Sequence, residues 1–542
     1  MAFIAPVGEI YLINQIEWGK DYKHTKYFSN ATDQFNYITD SSRLIGANRP
    51  SKTAQNYIKN ALSGTIKIKG HQENYLGCSY LCWKNTAIDS PLPEAHTYNY
   101  AFVDDVRYVS NEVFEIDYTI DVFQTYLFQG GCRIKKALIE RTHTQTDAVG
   151  EHIEAEPLTS DRYVYKNGSV SHFYSGDISG WSVLMYASKA RSEGTNIKSQ
   201  GMRCGLPQGV YCNVFDSSGT DDAFKVFSDW LNGLSAESFA EWIEKIVAVV
   251  AVPSEFIDST SGGLADTEDW TDDVYITKYN TTIDGFTPYN KKLLTYPYNC
   301  HYISDGDGSA MEYAYEFFTS NSMRFIMALA IQPQPEFIVA PYGYKGFPEL
   351  RPNYDFKCTI KNFPMVPFVA DAYKQYIGSQ GLSNSVNLLL NGLGGAITSG
   401  ILTNGVGLIG GAMAGAMGKT YISQELEGRQ AKMSADGAHI SSNSAMLALG
   451  QKTFYDCQKC VCEKDAKKID NFFSRYGYGI NTVGTIYFTN PRFNQHYVKT
   501  SEMMIEGGAP ASVIKTLCDA FNSGITFWRG TVGSYDGIWD IE

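Results

Sequence analysis

Residues Ser385 to Gly418, SVNLLLNGLGGAITSGILTNGVGLIGGAMAGAMG, contain no charged side chain, and the uncharged run around them reaches back to Gln375. A soluble chain cannot leave an apolar surface of this length in water, so it must be covered by the protein, by sister subunits or by a target. A single membrane-spanning helix needs about 20 apolar residues for a hydrocarbon core of ~30 Å. The turn-like Thr403-Asn404-Gly405 divides the stretch into two arms of about 15 residues, each only ~22 Å long as a helix. Each glycine also costs a water-exposed helix about 1 kcal/mol relative to alanine, which argues for order that depends on neighbours. Gly407, Gly411 and Gly415 recur every fourth residue, a spacing that lets helix backbones approach in lipid and that flexible loop glycines also produce. Three readings stay open: a buried core hairpin, a permanent membrane anchor, and a sequestered segment released into a membrane. The third fits the short arms best. Its apolar contacts would come from Val386, Leu388, Leu389, Leu390, Leu393, Ile397, Ile401, Leu402, Val406, Leu408, Ile409, Met413 and Met417.

The rest of the chain is that of a folded, soluble protein. Of 542 residues, 44% are hydrophobic and 19% charged, enough for a large core and two or more domains. The 37 tyrosines favour half-buried strands and wide subunit contacts. A net charge of -13 argues against tight gripping of nucleic acid phosphates without excluding DNA that slides past. The 11 scattered cysteines, odd in number, read as free thiols in a reduced compartment. The first twenty residues have no basic residue before Lys20 and no long apolar core, so they do not read as a signal peptide.

Period-two patterning dominates the amino-terminal third. Phe114, Ile116, Tyr118, Ile120 and Val122 alternate with Glu115, Asp117, Thr119 and Asp121, the pattern of a strand with one buried face. GEIYLINQI, GTIKIKG and NYAFVDDVRYV share that character, so residues 1–141 read as a β meander or barrel. The acidic face of Glu115, Asp117 and Asp121 is either a solvated sheet face or the lining of a passage that must not bind DNA. Residues 142–290 form a mixed middle region with one helix in SAESFAEWIEKIVAVVAV, where Phe239, Trp242, Ile243 and Ile246 fall at helical spacing. Short strands return over 291–374, the apolar insert and its polar return occupy 375–450, and 451–542 begins with a helix over YDCQKCVCEKDAKKIDNFFSRYGYGIN before closing strands.

No motif specifies catalysis. Gly405-Val-Gly407-Leu-Ile-Gly410 matches a dinucleotide turn but lacks a preceding strand and a βαβ unit. Gly418-Lys419-Thr420 resembles the end of a phosphate loop, but Met413 stands where its first glycine must be. Cys457-x-x-Cys460-x-Cys462 lacks a second ligand cluster for a metal, and on a helix these thiols would pack or stay free. Glu151, Glu154 and Glu156 are close in sequence, which does not establish a glycosidase separation. The expectation is a protein with no catalytic residue, no cofactor and no metal.

A set of landmarks in fixed order runs from end to end: DYKHTKYFSNATDQFNY (Asp21 to Tyr37), YAFV (Tyr100 to Val103), FEIDYTIDVFQTYLF (Phe114 to Phe128), LTYPY (Leu294 to Tyr298), FFSRYGYGIN (Phe472 to Asn481), YVKT (Tyr497 to Thr500) and FNSGITFW (Phe521 to Trp528). In these the chain resembles the distal tail knob, or tail tube, proteins of φ29-like short-tailed phages. The resemblance is looser from Thr142 to Asn290, and the apolar run falls where that family carries a long hydrophobic loop.

The resemblance implies a mainly β structural virion protein with some α, whose barrel-containing body forms a ring, six-fold in the family, through which the genome leaves. It implies self-association, contact with other tail and collar proteins, and passage of DNA without sequence-specific binding. It further implies that the loops plug the resting tube and insert into the host cytoplasmic membrane on infection. The protein would be made in the host cytoplasm and reside at the distal end of the virion tail. Two rivals remain. A secreted pore-forming toxin would share a sheltered apolar segment but needs an export route, and a tail-associated wall hydrolase would give a cleared band on a zymogram.

Overall fold

A strand with one buried face leaves a two-residue burial rhythm, and Val113–Ile120 shows it without a break, every second side chain from Phe114 to Ile120 being buried. The structure, a computed structural model, describes residues 7–44, 52–55, 62–71, 73, 75–86, 98–169, 181–192, 196–198, 209–217, 220–253, 271–278, 281–306, 308–330, 334–361, 363, 365–366 and 454–541. Two compact units divide the chain discontinuously. Unit 1 comprises Met1–Arg162, Gly285–Tyr298 and Val461–Glu542, and unit 2 comprises Tyr163–Asp284 and Asn299–Cys460. The linear boundaries read from composition, at 141/142 and 290/291, fall inside unit 1, because the chain enters and leaves unit 2 twice.

The first sheet of unit 1 has six strands in the order Lys52–Gln55, Val7–Ile13, Tyr80–Thr86, Asn99–Ser110, Val113–Ile120, Ser63–Lys69. It is a sheet rather than the expected barrel, since among the described residues its two outer strands do not pair with each other. The physical reason lies in burial on both faces. Ile10, Leu12, Trp83, Phe114 and Ile116 form one cluster, while Tyr80, Cys82, Tyr100 and Phe102 belong to another. Further layers cover both faces, so the sheet need not close on itself.

The second sheet of unit 1 runs His24–Lys26, Ile525–Trp528, Gln495–Gly507, Cys132–Thr142, Tyr478–Gly484, bringing the two ends of the chain together through the parallel pair His24–Lys26 with Ile525–Trp528. Asn30 caps the helix Ala31–Ile38 by accepting from the Asp33 N–H at 2.8 Å. The helix Glu463–Tyr476 ends at Gly477, whose φ is 65°. A Cβ there would lie 2.2 Å from the Thr142 carbonyl carbon, so both the conformation and the close approach require glycine. Gly524 does the same at the end of the helix Ala511–Ser523, with φ 91° and the Tyr497 hydroxyl 2.0 Å from the position of a Cβ. These two residues account for the first glycine of FFSRYGYGIN and the glycine of FNSGITFW.

Unit 2 holds three further sheets. One orders Asn196–Lys198, Tyr211–Phe215, Trp181–Ala187, Ile246–Pro253 and Met365–Val366; another orders Thr271–Thr277, Ser322–Ala330, Glu336–Pro341 and Cys358–Ile360. The last orders Ala310–Tyr313, Asn299–Ser304, Tyr455–Val461 and Tyr163–Ser169. One continuous apolar cluster joins strand residues such as Val183, Val249, Phe325 and Val339 to Phe224, Phe227 and Leu231 of the helix Ala223–Asn232.

Two expected helices are shorter than their sequences suggested. Ala236–Lys245 is helical, with Phe239 and Trp242 buried as the spacing implied, but Ile246 opens the strand Ile246–Pro253. The β-branched run IVAVVAV favours extended backbone and pairs along Trp181–Ala187. Likewise Cys457 and Cys460 lie on a strand rather than a helix, because Tyr455–Val461 pairs with Asn299–Ser304, and the helix starts only after Cys462.

Candidate functional site

The acidic face expected along Val113–Ile120 splits in the structure. Glu115 and Asp117 point outward from the strand as the alternation requires, but they meet cations from the strands on either side. Lys67 stands opposite Glu115 with its Nζ 3.2 Å from the carboxylate, and Arg107 from the other neighbour lies 2.7 Å from Asp117. Thr65 donates its hydroxyl to Asp117 at 2.6 Å. Lys69 and Glu112 extend the pattern at 4.0 Å, and Asp104 accepts from Lys20 at 2.7 Å and from the Thr119 hydroxyl at 2.6 Å. The face is therefore paired in charge, and its field is weaker than one strand in isolation suggests. The missed signal was visible in GTIKIKG, where Lys67 faces outward opposite Glu115.

Asp121 does not belong to this face, which corrects the sequence expectation. It lies one residue beyond the strand, where the chain turns into the short π-helical segment Phe123–Leu127, and it is fully buried. One carboxylate oxygen accepts from Trp18 Nε1 at 3.1 Å and from the Tyr80 hydroxyl at 3.0 Å; the other accepts from the backbone N–H groups of Phe123 and Gln124, both at 3.1 Å. Burial lifts its pKa to about 6 against the opposing pull of these donors. Asp121 fastens the turn that follows the strand, a structural task.

The carboxylates of GEHIEAEP also separate by role. The Glu156 side chain is buried and takes ion pairs from Arg141 and Lys292 and the Gly479 N–H at 2.9 Å. Glu151 is exposed and accepts from the Ala148 N–H at 2.9 Å. Nearby in unit 1, His143 Nδ1 accepts from the Tyr497 N–H at 2.8 Å and its Nε2 lies 3.1 Å from the Ser474 carbonyl, which fixes a neutral ring with the proton on Nε2. Burial drives its pKa down to about 3. Asp470 accepts from the N–H groups of Tyr289 and Asn290 at 2.8 and 3.0 Å and from the Trp539 indole at 2.5 Å. Each of these groups is spent on holding chain segments together.

Val386 to Met417, with Gly407, Gly411 and Gly415, lie outside the described residues. The strands on either side of that gap, Met365–Val366 and Tyr455–Val461, belong to different sheets. Among the described residues no helix is long and apolar enough to cross a membrane, and no group of three or more His, Cys, Asp or Glu is placed to hold a metal ion. The described cysteines form no disulfide; burial lifts the Cys457 thiol to about 11.

Comparison with known proteins supplies what the chemistry of these residues does not. Residues 266–537 match the family described as the C-terminal domain of the Bacillus phage phi29 tail knob protein gp9, and residues 7–130 match the caudoviral major tail protein N-terminus. The chain is 22% identical to the phi29 tail knob protein gp9 over 617 residues, with 99% of each chain covered. It is also 22% identical to gp9 of Bacillus phage B103 over 623 residues, again covering 99% of each. The solved structure of the bacteriophage C1 tail knob protein, gp12, shares the fold with a TM-score of 0.56 at 11% identity, covering 96% of this chain and 97% of that one. Matched over half its length by the gp9 C-terminal family and from end to end by tail knob proteins, the chain belongs to the phi29 gp9 family of phage tail knob proteins, structural components of the distal tail.

Proposed function

We propose that the chain assembles as a ring, six-fold as in the resemblance, that conducts the genome out of the virion. The uncharged run from Gln375 to Gly418 then plugs the resting lumen and enters the host cytoplasmic membrane on infection. The observation that carries this reading is the juxtaposition of full-length similarity to tail knob proteins with a run that has no charge in a chain of net charge -13. Cyclic symmetry would gather one such run from each subunit around a single axis, where the short arms satisfy one another as isolated ones cannot. Other tail and collar proteins are the remaining partners. Glu115 and Asp117 are assigned to the lumen wall in this reading, without Asp121.

Native mass measurement with electron microscopy of the purified chain tests the ring: closed rings with an axial channel are expected, and a strict monomer at micromolar concentration contradicts it. The lumen assignment is tested separately in virions carrying Glu115→Lys with Asp117→Lys. Slowed ejection or trapped DNA is the expected result, and unchanged ejection removes this face from the lumen.

A further inference from the structure

Residues 531–541 follow the strand Ile525–Trp528 as a strap with no helix or strand of its own, and among the described residues no strand pairs with it. Side chains hold its backbone instead. The Asn494 side chain donates to the Thr531 and Ser534 carbonyls, both at 3.0 Å. The Gln495 side chain accepts from the Asp536 N–H at 3.0 Å and donates to the Asp536 carbonyl at 3.1 Å. From the helix Glu463–Tyr476, Ser474 donates its hydroxyl to the Gly537 carbonyl at 2.6 Å. One turn earlier, Asn471 accepts from the Trp539 N–H at 2.6 Å and donates to the Trp539 carbonyl at 2.8 Å. Gly537, at φ 69°, lets the strap lie this close: a Cβ there would stand 2.7 Å from the Tyr289 ring and 2.8 Å from the Ser474 hydroxyl oxygen.

The strap and its seat differ in burial. No residue from 531 to 541 is buried, and Ile538 and Ile541 are 36% and 46% exposed. Beneath them Asp470, Ser474 and Gln495 are 0% exposed. The strap therefore adds little apolar burial to unit 1 while shielding a polar network from water. Its Trp539 indole completes the Asp470 carboxylate, which also takes the N–H groups of Tyr289 and Asn290. A segment with few buried apolar contacts and an exposed backbone opens locally at a free energy below that of global unfolding. We infer that the strap is a latch: it opens while unit 1 stays folded, and its opening admits water to the network that ties the helix Glu463–Tyr476 to Tyr289 and Asn290. Opening strips Asp470 of the Trp539 indole, Ser474 of the Gly537 carbonyl and Gln495 of both Asp536 backbone partners, and water takes their place. The join between that helix and the segment Gly285–Tyr298 is loosened before the strands Ile525–Trp528 and Gln495–Gly507 part.

The inference does not depend on the conduit reading. Hydrogen exchange of the purified full-length protein, resolved to single amides across a urea series below the unfolding transition, tests it. The Asp536 and Trp539 amides are expected to exchange through an opening that hardly depends on urea, whereas those of Ile525–Trp528 follow the full urea dependence of global unfolding. Gly537→Ala places a Cβ at positive φ and against Tyr289. It is expected to speed exchange about tenfold at Trp539, and at Tyr289 and Asn290 with it, leaving Ile525–Trp528 at the parent rate. Trp539→Phe keeps a ring beside Phe286 and removes the indole N–H, and is expected to speed Tyr289 and Asn290 by about threefold to tenfold. Strap amides that exchange only through global unfolding overturn the inference. So do Tyr289 and Asn290 amides that keep the parent rate while strap exchange accelerates, or a loss of protection in either variant that spreads to Ile525–Trp528. None of these outcomes bears on ring formation or membrane entry.

Discussion

The two units are held together by different means. Unit 2 rests on a large apolar cluster running through strands and helices, from Val183 and Phe227 to Phe325 and Phe454, with a small one at Ile326, Ile338 and Ala340. Unit 1 divides its apolar residues between two clusters and threads buried polar networks among them: Asp121 with Trp18 and Tyr80, Glu156 with Arg141 and Lys292, Asp470 with Asn290 and Trp539, His143 with Ser474 and Tyr497. A hydrophobic core tolerates many arrangements of about the right volume, whereas a buried network is satisfied by one arrangement or fails. Unit 1 gathers three separate stretches of chain, and its networks join them in one register. The long-range specification of unit 1 is therefore polar.

The largest expected effect follows from removing a network's buried counter-charge. Glu156→Ala leaves Lys292, whose side chain is 3% exposed, beside Arg141 with their shared ion pair removed, a loss of about 3–5 kcal/mol in urea unfolding. Hydrogen exchange should rise in Cys132–Thr142 and not in Trp181–Ala187, and uniform loosening would break the contrast between the units. Phe227→Ala, which opens a cavity beside Phe215, should cost about 3 kcal/mol with exchange rising in unit 2 instead.

Acid should act on unit 1 first. His143 has a folded pKa below its ordinary value, so its contribution is fully present above pH 6.5 and is lost as pH falls toward about 3. Between pH 7 and pH 5 the melting temperature should fall, with His496, which burial holds at about 4, acting in the same direction as His143, and with Asp121, raised to about 6, opposing both. Protection lost equally from both units would show that His143 is not the cause. The smallest effect belongs to the exposed lattice: Lys67→Ala, removing an ion pair whose lysine is 67% exposed, should change stability by less than about 1 kcal/mol. A larger loss would mean that the charged face is covered in the assembled particle.

The contrast also explains what could be read in the sequence. Val113–Ile120 was legible because its alternation is local, and the caps and glycines of the shared landmarks explain themselves once their neighbours are known. The limits of that strand were less so: Val122 keeps the apolar rhythm but lies past the strand's end. IVAVVAV suits either a buried helix turn or a strand, and only its partner Trp181–Ala187 decides. Cys457 and Cys460 sit on a strand whose partner, Asn299–Ser304, is remote in sequence. The charged face was half legible, since Lys67 and Arg107 stand on neighbouring strands and become partners only through register. Asp121 looked like a third member because alternation cannot tell where a strand stops.

The measurement that bears most directly on the proposed membrane entry is dye release from liposomes, comparing the intact assembled protein with an assembled form lacking Gly378 to Gly418, at neutral and mildly acidic pH. Leakage with the intact protein alone is the expected result and assigns membrane entry to the uncharged run. Equal leakage from both forms, or none from either at any pH, contradicts it.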